Sequence, residues 1–86
     1  MYHYRSPVGT FWIVWREEST EWWLGITWRD QSRLLGVYRS AQGAAAAVYR
    51  HMSGHDEWDR YEPKPQDPKS LASWAIGPVD PSSPEQ

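Results

Sequence analysis

Cysteine is absent from the 86-residue sequence, which excludes disulfides, thiolate metal sites and a thiol nucleophile. Lysine is nearly absent: residues 1–52 contain none, so every basic side chain there apart from histidine is an arginine. No apolar run reaches the roughly 18 residues that a membrane span needs. The opening MYHYRSPVGT lacks the basic-then-apolar layout of a secretory signal, so a soluble, cytoplasmic protein is expected. There is no internal repeat, and no glycine-rich loop leads from a strand into a helix to hold a phosphate. The serines fall in turns, caps and the tail, where hydroxyls serve the backbone, and no nucleophile–base–orienter set accompanies them. A non-enzymatic chain without a cofactor is the expectation.

Charge is uneven. The net charge of −2 divides into +2 over residues 1–52 and −4 over residues 53–86, and the second part also holds six of the seven prolines. That balance lacks the strongly basic footprint usual for nucleic-acid binders.

What the chain has in excess is tryptophan, seven residues in all, with Trp12, Trp15, Trp22, Trp23 and Trp28 in two neighbouring segments. A chain this short buries only about 60–65% of its unfolded surface, and large aromatics raise the area buried per residue. They therefore serve either an unusually aromatic core or a surface left open for a partner.

Three segments read as strands: Gly9–Arg16, Glu21–Arg29 and Arg33–Arg39, joined by Glu17–Thr20 and by Asp30–Ser32. Short links predict an antiparallel meander. Ser40 is placed to cap a helix over Ala41–Met52, with Ala41, Ala44, Ala45, Val48 and Met52 on one stripe and Gly54 as the left-handed terminator. The expected fold is α+β, a three-stranded antiparallel sheet packed on one helix (β-β-β-α). Residues 1–76 form one domain that includes a Pro-rich aromatic tail partly docked on it. Trp58 and Trp74 fasten that tail, Ser70–Ile76 forms one or two helical turns, and residues 77–86 are expected to be disordered.

Alternation assigns the strand faces. Phe11, Ile13 and Trp15, then Trp22, Leu24, Ile26 and Trp28, and finally Leu34, Gly36 and Tyr38 form the expected core set. The opposite face then gathers Trp12, Arg16, Trp23, Arg29, Arg33 and Arg39 beside Leu35 and Val37. Arg and Trp are the types most enriched at binding hot spots. The tail either covers this face, giving a third layer, or packs at the helix edge and leaves it open.

His51, His55 and Asp59 share a four-residue spacing that superficially suits a metal. A helix ending at Gly54 would separate them, and His51 is then expected as a solvated cation at the helix C-terminus, with no metal site.

Leu35–Tyr49 (LGVYRSAQGAAAAVY) resembles the last strand and helix of the plant AP2-type DNA-binding domain, and the order of elements over residues 10–52 is similar. The chain has no counterpart of that family's opening Arg-Gly-Val-Arg. The resemblance implies that the sheet face away from the helix enters a major groove, with Arg16, Trp23, Arg29, Arg33 and Arg39 as contacts. A second resemblance, over nearly the whole chain, is to small, uncharacterised bacterial proteins. Gly9-Thr-Phe-Trp-Ile13, Leu35-Gly-Val-Tyr38, the Ala-rich helix, Gly54 with Trp58-Asp59, and Leu71-Ala-Ser-Trp74 carry it. It implies a fold and a docked tail and assigns no function.

Three readings follow. The first is a non-catalytic protein-interaction or inhibitory module using the Arg/Trp face. The others are a nucleic-acid-binding domain using the same face, and a structural homodimer that covers an exposed edge or face.

Overall fold

The computed structural model describes residues 1–62, 68 and 70–77. It is a small α+β fold in which one antiparallel sheet carries a helix. The sheet has five strands, where the sequence reading expected three: β1 (Tyr2–Ser6), β2 (Gly9–Arg16), β3 (Glu21–Trp28), β4 (Gln31–Tyr38) and β5 (Ala75–Ile76), in the order β4-β3-β2-β1-β5. Among the described residues it is joined by two helices, α1 (Ala41–Tyr49) and α2 (Asp56–Asp59), and a 3₁₀ turn over Leu71–Ser73.

The first added strand follows from a turn. Ser6-Pro7-Val8-Gly9 reverses the chain: proline presets one torsion, and Gly9 takes φ +128°, which a side chain would resist. The Ser6 hydroxyl accepts from the Val8 amide at 3.2 Å and donates to the Gly9 carbonyl at 2.7 Å. Tyr2 and Tyr4 thereby pair with Ile13 and Phe11 and join the apolar side. The second is Ala75–Ile76, which pairs with His3 and Tyr2 where a helical turn was expected.

Between β3 and β4 the link is Arg29–Asp30 alone, since Trp28 already pairs with Gln31. Further along, the register slips between Leu24 and Gly25, so that Gly36 faces Leu24 but Leu34 faces Gly25. One extra residue in β4 is a bulge, and it inverts the alternation read from the sequence. Leu35 therefore packs against the core, whereas Leu34, assigned to the core set, is 45% exposed.

The core lies between the sheet and α1. Phe11, Ile13, Leu24, Ile26, Ala41, Ala44, Ala45 and Val48 are buried there together with Trp58 and Trp74. Small side chains let α1 approach closely enough for Trp58 to fill the remaining space. Trp15, expected in the core, is 44% exposed beside Trp22, and Met52 is largely exposed. Tyr38 sits against Gly36; its partial burial, and secondarily the charge of Asp59, raise its phenol above the ordinary value.

Ser40 caps α1 as expected, accepting from the Gly43 amide at 2.9 Å. The helix ends three residues earlier than Met52, at a paired arrangement of amides. His51 N–H donates to Val48 O at 3.1 Å, and Met52 N–H to Ala47 O at 2.9 Å, with His51 at φ +56°. This is a Schellman ending with histidine where glycine is usual. The side chain explains the choice: His51 stacks on Trp58 at 4.5 Å and 8°, and its Nδ1 donates to the Trp58 carbonyl at 2.7 Å. The expected solvated cation is thus a half-buried clamp between α1 and α2.

Trp58 in turn donates its indole N–H to Val48 O at 2.8 Å and meets Phe11 edge-on at 5.4 Å. A domain of this length holds roughly 4–13 kcal/mol in total. Trp58→Ala should cost about 3–5 kcal/mol and leave the chain unfolded or nearly so. Trp58→Phe keeps most of the volume but removes one of the two donors to the Val48 carbonyl, which keeps the His51 amide, for a loss of about 0.5–1.5 kcal/mol. Urea titration followed by circular dichroism measures both.

Candidate functional site

The sheet has one face under α1 and one that no described element packs on. By register, the open face carries His3 and Arg5 from β1, Trp12, Val14 and Arg16 from β2, Glu21, Trp23, Gly25 and Thr27 from β3, and Ser32, Leu34 and Val37 from β4. Of these only Gly25 is fully buried; the rest are half-buried or exposed. The described tail residues Trp58 and Trp74 lie on the other side, in contact with Phe11. The expected disorder of residues 77–86 concerns, Gly77 apart, residues outside those described.

Two tryptophans are laid flat on this face by different means. Trp12 lies across Gly25, where a Cβ would overlap the indole ring, and its Nε1 donates to Thr27 Oγ1 at 3.2 Å. Thr27 is linked onward to Ser32 at 2.8 Å. Trp23 lies under Arg16, whose guanidinium carbon is 4.8 Å from the ring centroid. Arg16 Nε is 3.7 Å from Glu18 Oε1, an exposed ion pair of little energetic weight. The Trp23 indole N–H has no acceptor among the described residues. Beside the two indoles, Leu34 and Val37 are 45% and 44% exposed and extend the apolar stripe to the β4 edge.

Of the six residues expected on one face, then, Trp12, Arg16 and Trp23 are there. Arg33 is not: the bulge turns it to the helix side, opposite Ile26. Arg29 occupies the β3–β4 turn and stacks on Trp28 at 4.2 Å, also on that side. Arg39 is exposed just beyond the end of β4. His3 and Arg5 were missed because β1 was not foreseen; its signal was the Ser6-Pro7-Val8-Gly9 turn that follows the short Tyr2–Arg5 run.

Arg29 and Arg33 instead line a cavity of about 280 Å³ with His55 and Glu57. His55 is almost wholly buried. Its Nε2 lies 2.9 Å from the Val8 carbonyl, which can only accept, so Nε2 carries the proton and Nδ1 presents a lone pair. Arg33 Nη2 donates to that Nδ1 at 3.1 Å. Asp59, the third member of the metal-like spacing, is engaged elsewhere. Its two oxygens accept from the Ser53 amide and hydroxyl at 3.0 and 2.8 Å and from the Gly54 amide at 2.9 Å. Among the described residues no set of three His, Asp or Glu side chains converges as metal ligands. No described helix is long and apolar enough to cross a membrane.

Compared with protein-family models, curated proteins and solved structures, the chain has no match.

Arg29 and Asp30 both hold positive φ, +54° and +63°, as a two-residue type I′ hairpin requires. Asn-Gly is the usual solution, and a side chain here costs about 1–2 kcal/mol per residue. Arg29→Asn with Asp30→Gly should therefore stabilise the fold by about 1 kcal/mol, after subtracting a lost cation–π contact of about 0.5–1 kcal/mol. Thermal unfolding reads this. Gly25→Ala should displace the Trp12 ring and cost about 1–3 kcal/mol, with a shift in tryptophan emission as that indole leaves the sheet.

Proposed function

We propose that this chain is a non-catalytic binding module whose open sheet face receives an acidic protein surface. The observation that carries the proposal is the Arg16–Trp23 stack beside exposed Leu34 and Val37, on a face that no described element covers. Aromatic anchors with a stacked arginine supply contact area and charge at small entropic cost. Among the strand residues of that face Arg5 and Arg16 outnumber the single acid Glu21; Glu18 of the adjoining loop borders Arg16 only as an exposed, weak ion pair, so both guanidinium groups stay open to an acidic partner.

Size sets the strength. Four strands of up to eight residues give a plan area of roughly 500 Å² at the usual strand dimensions. That is below the roughly 800 Å² per partner of a standard interface, so a transient complex is expected. Two arginines are too few for affinity built on phosphate neutralisation, and protein is therefore preferred to nucleic acid.

Trp23→Ala combined with Arg16→Glu should weaken a purified partner's binding by about a hundredfold, as expected for removing a hot-spot pair. Arg39→Ala should leave it near wild type. Calorimetry on the purified pair measures this. Equal losses from both changes would sink the proposal, as would a steep salt-dependent affinity for oligonucleotides in place of any protein. Light scattering that shows a stable dimer broken by the double variant would replace the partner with a second copy of the chain.

A further inference from the structure

On the opposite side of the sheet, the recess between the β3–β4 turn and the His55–Glu57 segment has the makings of a second site. Its volume, about 280 Å³, falls just short of the roughly 300 Å³ at which pockets begin to enclose drug-sized ligands. A smaller ligand fits. Ile26 and Trp28 give it an apolar wall, and Gln31 adds an amide to the guanidinium groups of Arg29 and Arg33. Glu57 is the only acid among the lining residues, which leaves one net positive charge with His55 neutral.

Two features hold the cations in place before any ligand arrives. Arg33 is tied by Nη2 to the buried His55, whose other nitrogen is anchored on the Val8 carbonyl. A guanidinium oriented through one amino group keeps its remaining N–H donors for a planar acceptor. Arg29, at the first position of the type I′ turn, rests over Trp28 with its guanidinium carbon 4.2 Å from the ring centroid. Glu57 Oε1 lies 3.5 Å from the same His55 Nδ1 that accepts from Arg33, so an anion already borders the group that would receive the ligand.

We propose that this cavity binds a carboxylate carried on a small apolar body, its oxygens on Arg33 and Arg29 and its body against Trp28 and Ile26. One net charge and planar donors favour a carboxylate over a phosphate dianion, and the apolar wall leaves a bare inorganic ion half unsatisfied. The same chemistry is borne by a free aromatic or aliphatic acid and by the C-terminal residue of a peptide.

The test is a titration of the ¹⁵N-labelled full chain with four probes: benzoate, the peptide Ala-Ala-Phe as free acid, the same peptide amidated, and inorganic phosphate. Either acid should move the Trp28 indole resonance and the amides of residues 29–33 saturably, whereas the amidated peptide and phosphate should not. Tighter binding of the free-acid peptide assigns the site to chain termini, and tighter binding of benzoate assigns it to small acids. Arg33→Met should weaken the better acid by about tenfold or more, the loss expected for a charge-assisted contact. Glu57→Gln should tighten it. Should Arg33→Met disturb the fold, Arg29→Gly serves: it should weaken binding while leaving the midpoint of thermal unfolding unchanged or higher. No saturable response to either acid overturns the proposal, and so does equal binding of the amide or of phosphate. Unchanged affinity in a folded Arg33→Met or Arg29→Gly protein overturns it as well.

Discussion

The hydrogen bond from the Trp58 indole to the Val48 carbonyl is the contact on which the rest of the arrangement depends. Val48 lies in the last turn of α1, and its carbonyl accepts both the His51 amide of the helix ending and the Trp58 indole N–H. The second bond gives the buried indole N–H the acceptor it would otherwise lack inside the core. The same ring meets Phe11 of β2 and Tyr4 of β1, so one side chain joins the helix to two strands. Stacking of His51 on its face fixes where α1 stops and α2 begins.

From that anchor the polar network runs outward. Ser53 and Gly54 are gathered by Asp59, and the Ser53 hydroxyl accepts from the His55 amide at 3.1 Å. His55 is thereby held under the β3–β4 turn, reaching Val8 with one nitrogen and Arg33 with the other. A loop that looks in sequence like an acidic run is in fact wired from the core to the surface. Its two histidines donate from opposite ring nitrogens, His51 through Nδ1 and His55 through Nε2, each to a backbone carbonyl.

Much of the central fold was legible. The span of β2 is the one read from the sequence, β3 ends one residue earlier, and the Ser40 cap and the Ala41, Ala44, Ala45, Val48 stripe came directly from spacing. The failures have distinct causes. β1 is short and half polar, and its signal lay in the Ser6–Gly9 turn more than in the strand. β5 has two residues and exists only through pairing at long range. The bulge in β4 has no local sequence mark, yet it alone moved Arg33 off the open face and Leu35 into the core. Candidate site residues upstream of it on β2 and β3, namely Trp12, Arg16 and Trp23, kept their expected face, while those at or beyond the β3–β4 turn did not form part of that cluster. His51 was misread because a non-glycine helix terminator can be recognised only once its stacking partner is known.

The pairing of β5 with β1 has a consequence for how the molecule comes to be. The Gly77 amide donates to the Met1 carbonyl at 3.1 Å, and Tyr2 pairs with Ile76. Strand β1 thus depends on a segment some seventy residues away for the closure of its outer edge. Until that pairing forms β1 presents unpaired amides and carbonyls to the cell, and Trp74 is missing from beneath it. Local hairpins and the helix need only short loops, whereas the β1–β5 pairing closes a loop of nearly the whole described chain, the kind of contact that slows folding.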